Sequence, residues 1–246
     1  MRKLYLLFIP LLFAATIESS AQVNTIAQVW TMEPMFGHTK MVEDALREHG
    51  LWRKANGDTW NWDVFQVVNG DNFGIFYARS GDHTWADLDN YQLEGASDHF
   101  NATVLPHLKS VSNSLTKGNP EATYMISPEE VSLYQVVWYD VIPSKQFQLL
   151  NSIGKFSEII RKSDSSLYHA FAEFISGGNG SSLLGVFPRS SWADFEEPDP
   201  SIGELLSAEL GEDGSMALFE QFTTSIRGQA SSVLLHRKDL SSAWIE

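Results

Sequence analysis

Seven histidines and a few carboxylates set among apolar residues are what this chain offers for chemistry. The histidines lack the close spacing of a zinc motif: His99 and His107 stand eight apart, His38 and His49 eleven, with no Glu at helical spacing beside His99 or His107. No metal site is expected. Glu173, between Ala172 and Phe174 in an otherwise apolar stretch, is a different kind of candidate. Burial there would disfavour the charged carboxylate and raise its pKa, which is what a general acid or base needs. Asp63 and Asp140 occupy comparable stretches and read more simply as outward-pointing or hydrogen-bonded groups. There is no Gly-x-Ser-x-Gly elbow, no Gly-rich loop ending in Lys-Ser or Lys-Thr, and no strand leading into Gly-x-Gly-x-x-Gly. Acyl-transfer by such an elbow, P-loop chemistry and Rossmann dinucleotide binding are therefore set aside.

Composition narrows the partners. The formal charge is -14 and no basic run interrupts it, so nucleic acid and anionic membranes are repelled. Arg2 and Lys3, the apolar run from Leu4 to Ala15 and the small residues Ser19-Ser20-Ala21 follow the order of a secretory signal peptide. Residues 1–21 are expected to be that peptide, removed near Ala21, with the remainder secreted or periplasmic. No later stretch reaches the roughly 20 apolar residues of a membrane span. Cysteine is absent, so stability must come from a packed core rather than from disulfides.

The elements that would position these residues occur twice. Thr84-Trp85-Ala86-Asp87-Leu88 returns as Ser191-Trp192-Ala193-Asp194-Phe195, and the flanking segments keep the same order. Thr84 and Ser191 suit helix N-caps answered by Asp87 and Asp194 three residues on, with Trp85 and Trp192 packed over each helix entry. In the first unit, 24–132, a strand rich in β-formers runs from Ile26 and stops at Pro34, and a helix spans Thr39 to Ala55 with Met41, Val42, Ala45, Leu46 and Trp52 inward. A strand with Trp60, Trp62, Val64 and Val68 on one side, a hairpin at Asn69 to Asn72 and a return strand Phe73 to Arg79 follow. A helical region from Trp85 to about Leu115, broken near Gly95 and Pro106, then leads to a last strand at Ala122 to Ser127.

The second unit, 133–244, repeats the pattern. A strand Leu133 to Ile142 precedes a helix capped by Ser144, with Phe147, Leu150, Ile153, Phe156 and Ile160 inward. The hairpin Tyr168 to Ile175 and Leu183 to Phe187 follows, joined through Gly177 to Ser181; a helix around Leu205 to Phe222 and a strand at Ser231 to Ser241 close the unit. Each unit reads β-α-β-β-α-β, a ferredoxin-like order that leaves one sheet face apolar. The expected fold is α+β, two tandem ferredoxin-like units packed sheet to sheet.

In that order of elements, and in Ser97-Asp98-His99-Phe100-Asn101-Ala102 leading to Leu105, the chain resembles the dimeric α/β-barrel superfamily in its fused form. That group includes antibiotic-biosynthesis-type monooxygenases, stress-responsive barrel proteins, haem-degrading oxygenases and chlorite dismutase. The resemblance implies a cavity between sheet and helices to which the second helix contributes His99. In haem-degrading members such a His works with a Trp and a first-strand Asn; here Trp85 is present but the first strand offers Gln28. Chlorite-dismutase-like chemistry would require a proximal haem His and a distal Arg in the second unit, for which His169 and Arg189 are the nearest residues. The expectation is a protein without a cofactor, holding a small apolar or aromatic molecule in the first unit between Gln28, Trp30, Trp62, Tyr77 and Trp85, with His99 and Glu173 as candidate catalytic groups. An oxygenase-like enzyme acting on an aromatic substrate and a non-catalytic scaffold are the alternatives, and further self-association is open.

Overall fold

The computed structural model describes residues 25–126, 130–178 and 182–245. The leader segment 1–21 and Asn179 to Ser181 of the second hairpin turn lie outside these residues. Strands and helices follow in the order β1 (Ile26–Pro34), α1 (Thr39–Ala55), β2 (Asp63–Asn69), β3 (Phe76–His83), α2 (Trp85–Asn90), α3 (Ala96–Thr103) and β4 (Leu108–Tyr124). The second half continues with β5 (Leu133–Val141), α4 (Gln146–Lys162), β6 (His169–Ser176), β7 (Ser182–Arg189), α5 (Ile202–Thr223) and β8 (Ile226–His236). The protein is α+β, with eight antiparallel strands in one closed barrel of order β1-β3-β2-β8-β5-β7-β6-β4. The two halves meet along strand edges, β2 on β8 and β4 on β6, so each edge that would be exposed in an isolated sheet is paired.

Alternation along the strands sends side chains to two cores. Met32, Val64 and Phe76 face outward against Val42, Ala45 and Leu46 of α1, while Val137, Tyr139, Val141 and Leu183 face Leu149 and Ile153 of α4. Residues of the opposite parity, among them Phe65, Val67, Tyr77, Tyr134, Val136 and Leu184, fill the barrel interior. Both helices end on basic residues, Arg53 and Lys54 on α1 and Arg161 and Lys162 on α4, which suits the negative helix end.

Three sequence expectations are corrected. The segment 108–115 is strand rather than helix: Pro106 halts the helical course, and Ser110 to Thr116 alternates on the pleat while pairing the whole length of β1, from Ile26 opposite Lys117 to Pro34 opposite Leu108. On α4 the inward stripe is Leu149, Ile153, Phe156, Ile159 and Ile160, whereas Phe147 is 77% exposed. Two residues before Leu149 means a rotation of about 200° around a helix, which turns Phe147 to the outside. Ser144 lies within a short 3-10 turn, Pro143–Lys145, and caps nothing. The third correction concerns the repeated tryptophans. Thr84 and Asp87 form the expected capping box, the Thr84 hydroxyl accepting from Asp87 N at 3.1 Å and Asp87 Oδ2 accepting from Thr84 N at 2.7 Å. Trp85 and Trp192, however, stand 46% and 57% exposed instead of packing over the helix entries. The caps alone account for the repeat.

Candidate functional site

A largely buried polar arrangement hangs from the C-terminal half of α1. Gly57, with φ +75°, lets the chain reverse after the helix, and Asp58 N donates back to Arg53 O at 3.0 Å. That turn brings the Asp58 carboxylate onto its own helix. Arg53 Nε donates to Asp58 Oδ2 at 2.6 Å, with the two side chains only 13% and 4% exposed. The carboxylate also accepts from Tyr91 Oη at 2.9 Å, from Trp60 N at 3.0 Å and from Trp62 Nε1 at 3.2 Å, and Arg53 donates in turn to the Tyr91 oxygen. The guanidinium lies 4.8 Å above the Trp62 ring.

Four residues before Arg53, on the same helix face, sits His49. Arg53 Nη1 approaches His49 Nε2 at 3.4 Å, and His49 Nδ1 meets His99 Nδ1 of α3 at 3.1 Å. A guanidinium only donates, so His49 Nε2 accepts and Nδ1 carries the proton, which it donates to His99 Nδ1. His99 is thereby held as the Nε2–H tautomer, and the Thr103 hydroxyl spends its proton on His99 O at 2.7 Å. Burial, followed by the neighbouring Arg53 charge, lowers the His49 pKa to about 4, so the ring is neutral at ordinary pH. Burial likewise pushes Tyr91 up to about 12. The arrangement is a relay, Asp58 to Arg53 to His49 to His99, stacked on one side by Trp52, whose ring centroid is 4.7 Å from that of His99.

Two cavities lie in the second half. The larger, about 410 Å3, sits between β5, β6 and β7 on one side and α4 and the start of α5 on the other, walled by Val137, Tyr139, Ile160, Leu167, Phe187 and Ile202. Gly185 makes room for this wall: a Cβ there would meet ring carbons of Phe171, Phe187 and Tyr139 at 3.1 Å each. Burial pushes the Tyr139 hydroxyl up to about 12. His169 and Arg189 line the same cavity. The smaller, about 260 Å3, lies beside Glu173, which accepts from Gln146 Nε2 at 2.6 Å.

The expected ligand-binding residues do not converge on one place. Trp62 belongs to the relay, and Trp30 approaches it through Phe100, whose ring lies 6.1 Å from Trp30 and 5.6 Å from His49. Gln28 pairs across the ladder with Ser80, which is bonded to His83 at 2.8 Å. Tyr77 turns into the barrel interior, and Trp85 stands on the surface. Glu173 is in the other half. His49, Arg53, Asp58 and Tyr91 were not singled out as site residues by sequence reasoning, although the i, i+4 spacing of His49 and Arg53 and the turn at Asn56-Gly57 were available signals.

Haem can be tested against the residues that would hold it. His169 is buried, its Nδ1 donates to Leu167 O at 2.8 Å, and Ser157 Oγ donates to Nε2 at 2.6 Å. An iron ligand needs the Nε2 lone pair, and a buried serine already occupies it. His169 as it stands does not fit an axial ligand. Arg161 adds to burial in keeping its pKa low.

No protein-family profile and no curated protein sequence matches this chain. Solved structures do. A protein from Fusobacterium nucleatum subsp. nucleatum, described as a "putative monooxygenase", aligns with TM-score 0.58 and 12% identity over 87% of this chain and 93% of its own. An anthrone oxidase-like protein aligns with TM-score 0.56 and 12% identity over 87% and 92%. A mutant chlorite dismutase from Candidatus Nitrospira defluvii aligns with TM-score 0.51 and 7% identity over 86% and 92%. This last likeness corrects the expectation of a cofactor-free protein, because chlorite dismutases stand beside monooxygenases among the similar structures and the fold does not separate the two. At these identities what is shared is the fold alone, the α+β barrel described above.

Proposed function

We propose that the protein binds a small apolar or aromatic molecule in the larger second-half cavity. The observation that carries this reading is the cavity itself: about 410 Å3 between sheet and helices, with aromatic and aliphatic walls from Val137, Tyr139, Ile160, Leu167, Phe187 and Ile202 and polar groups beside them, a make-up common to small-molecule sites. The two halves, 24–132 and 133–244, are then two ferredoxin-like units joined in tandem, a reading supported by their matching element order and their meeting at strand edges. The signal-like order of residues 1–21 supports an exported protein, and among the described residues no helix is long and apolar enough to cross a membrane. The test is a titration with a neutral aromatic probe, 2-naphthamide, followed by calorimetry. Saturable binding is expected to weaken about tenfold or more in Ile202→Trp, which fills the cavity from the start of α5. Equal binding to the variant, or no binding to the parent of either this amide or the matching acid, 2-naphthoate, sinks the assignment.

A second reading, an oxygenase-like enzyme, is favoured by the relay that ends on His99. In the Nε2–H tautomer His99 offers a proton to a substrate oxygen rather than a lone pair to a substrate proton. Anthrone, suggested by the name of one similar structure, is the substrate to try. Oxygen consumption that falls on His99→Ala supports this reading; absence of turnover, or turnover unchanged in the variant, removes it.

A further inference from the structure

We propose that the larger second-half cavity takes its ligand as an anion, an apolar or aromatic acid whose carboxylate is bound by Arg189. This rests on the cavity being a ligand site, as argued above, and adds the charge of the ligand and the residue that reads it.

Three observations meet at Arg189, the last residue of β7. Its Nε is buried and has no hydrogen-bond partner, one of only a few such side-chain atoms among the described residues. A buried donor left unmade is costly, and because Arg189 also lines the cavity its guanidinium is placed to take an acceptor from outside the chain. The residue also makes no ion pair among the described residues, although the chain as a whole carries a formal charge of -14. The Asp194 carboxylate acts on Arg189 through its charge but makes no ion pair with it. It accepts from Ser190 N at 2.6 Å, from Ser191 N at 3.2 Å and from Ser191 Oγ at 3.0 Å, all in the service of the cap, and the guanidinium instead rests 5.6 Å from the centre of the Phe195 ring. Burial lowers the Arg189 pKa, the mark of a cation held where water solvates it poorly.

Besides Arg189 the polar lining residues are Gln135, Tyr139, Tyr168, His169, Glu197 and Ser201, and the two that could carry charge near the ligand, His169 and Glu197, bear on its direction. His169 has both ring nitrogens committed, to Leu167 O and Ser157 Oγ, so it adds no free donor. Glu197 lines the same cavity and is exposed. It repels an anion weakly through solvent and holds the carboxylate to the Arg189 side. A planar acid would then lay its apolar body along Tyr139 and Phe187 while a guanidinium fork grips the carboxylate.

The experiment compares 2-naphthoate with 2-naphthamide, its neutral isostere, on the parent protein and on Arg189→Met and Arg189→Lys, with circular dichroism to verify folding. The acid is expected to bind about 10- to 100-fold more tightly than the amide. Arg189→Met should erase that preference and leave amide affinity within about threefold, while Arg189→Lys, which keeps a charge but loses the fork, retains part of it. If acid and amide bind the parent equally, the anionic ligand is refuted and the cavity survives as a site. A preference that persists in folded Arg189→Met refutes the assignment to Arg189. Binding of neither probe overturns the cavity reading and this inference with it. Should Arg189→Met fail to fold, the ratio of acid to amide affinity in Arg189→Lys decides: an undiminished ratio refutes the fork, a reduced one supports it.

Discussion

Replacing Asp58 by Asn asks whether the first-half relay is a single electrostatic unit. The carboxylate is 4% exposed and has donors on both oxygens: Arg53 Nε and Trp62 Nε1 on Oδ2, Tyr91 Oη and Trp60 N on Oδ1. An asparagine has the same outline but one of its two positions is an NH2, and whichever way the amide is turned a donor then faces a donor. The Arg53 charge, at 13% exposure, loses its counter-ion in the same step. Removing one partner of a buried pair costs about 3–5 kcal/mol. For a domain of this size each kcal/mol moves Tm by about 2–4 °C, so a drop of about 6–20 °C is expected. Urea denaturation followed by tryptophan fluorescence is the direct assay, because Trp60 and Trp62 sit in the network. Arg53→Met should cost a comparable amount, and the double variant should lose at least about 1 kcal/mol less than the sum of the two. A loss below about 1 kcal/mol for Asp58→Asn, or simple additivity in the cycle, would refute the claim that the two charges act together.

Two further outcomes follow from the same physical reading. His49 ionises near pH 4 in the fold against 6.5 ordinarily, so on acidification the unfolded chain takes up the proton first. Its contribution is complete above pH 6.5 and is lost as pH falls toward 4, to a limit of about 3 kcal/mol. Urea midpoints at pH 7 and pH 4.5 should therefore differ less in His49→Gln than in the parent; equal differences would exclude His49 as the source. Gly185→Ala places a methyl 3.1 Å from three aromatic rings, an overpacking worth about 1–3 kcal/mol. Because Tyr139 and Phe187 line the cavity, naphthamide binding should weaken with the melting temperature, and a variant with lowered Tm but unaltered binding would place the strain elsewhere.

How far the fold was legible depended on whether an element's own residues or its neighbour decided its state. The helix over Thr39 to Ala55 carries its apolar stripe and its terminal basic residues in its own sequence, so its bounds could be read directly. The strand at 133–141 is nearly continuous in β-formers and was equally plain. By contrast Leu108 to Leu115 has serines, Val111 and Asn113 at spacings that suit a weak helix and a weak strand alike. Its state is settled by β1, which needs a partner along nine residues, and a pairing partner 80 residues away is not a local signal. Phe147 shows the same limit on a smaller scale. An aromatic in a helix reads as core, yet the phase of the stripe is set by Leu149 and Ile153 against the sheet.

The site was less legible, for a reason that lies in how charges are paired. Hydrophobic residues share one environment and announce it by period, whereas the meaning of a charged residue depends on a single partner whose identity the period does not contain. Asp58 is one acidic residue among 31 in the sequence; only the reversal at Gly57 makes it the counter-ion of Arg53, and only the arrival of Tyr91 from beyond α2 makes that pair buried. Arg189 is the converse case. Asp194, five residues on, invites the assumption of an ion pair, and the repeated Thr/Ser-Trp-Ala-Asp pattern already says why none forms: at the first copy Asp87 caps Thr84, and at the second Asp194 does the same for Ser191. The cap holds the Asp194 carboxylate on Ser190 N, Ser191 N and Ser191 Oγ, so its charge reaches Arg189 through space without closing an ion pair. In the anionic-ligand reading proposed above, a motif with no chemistry of its own thus leaves Arg189 without an ion pair in the lining of the cavity.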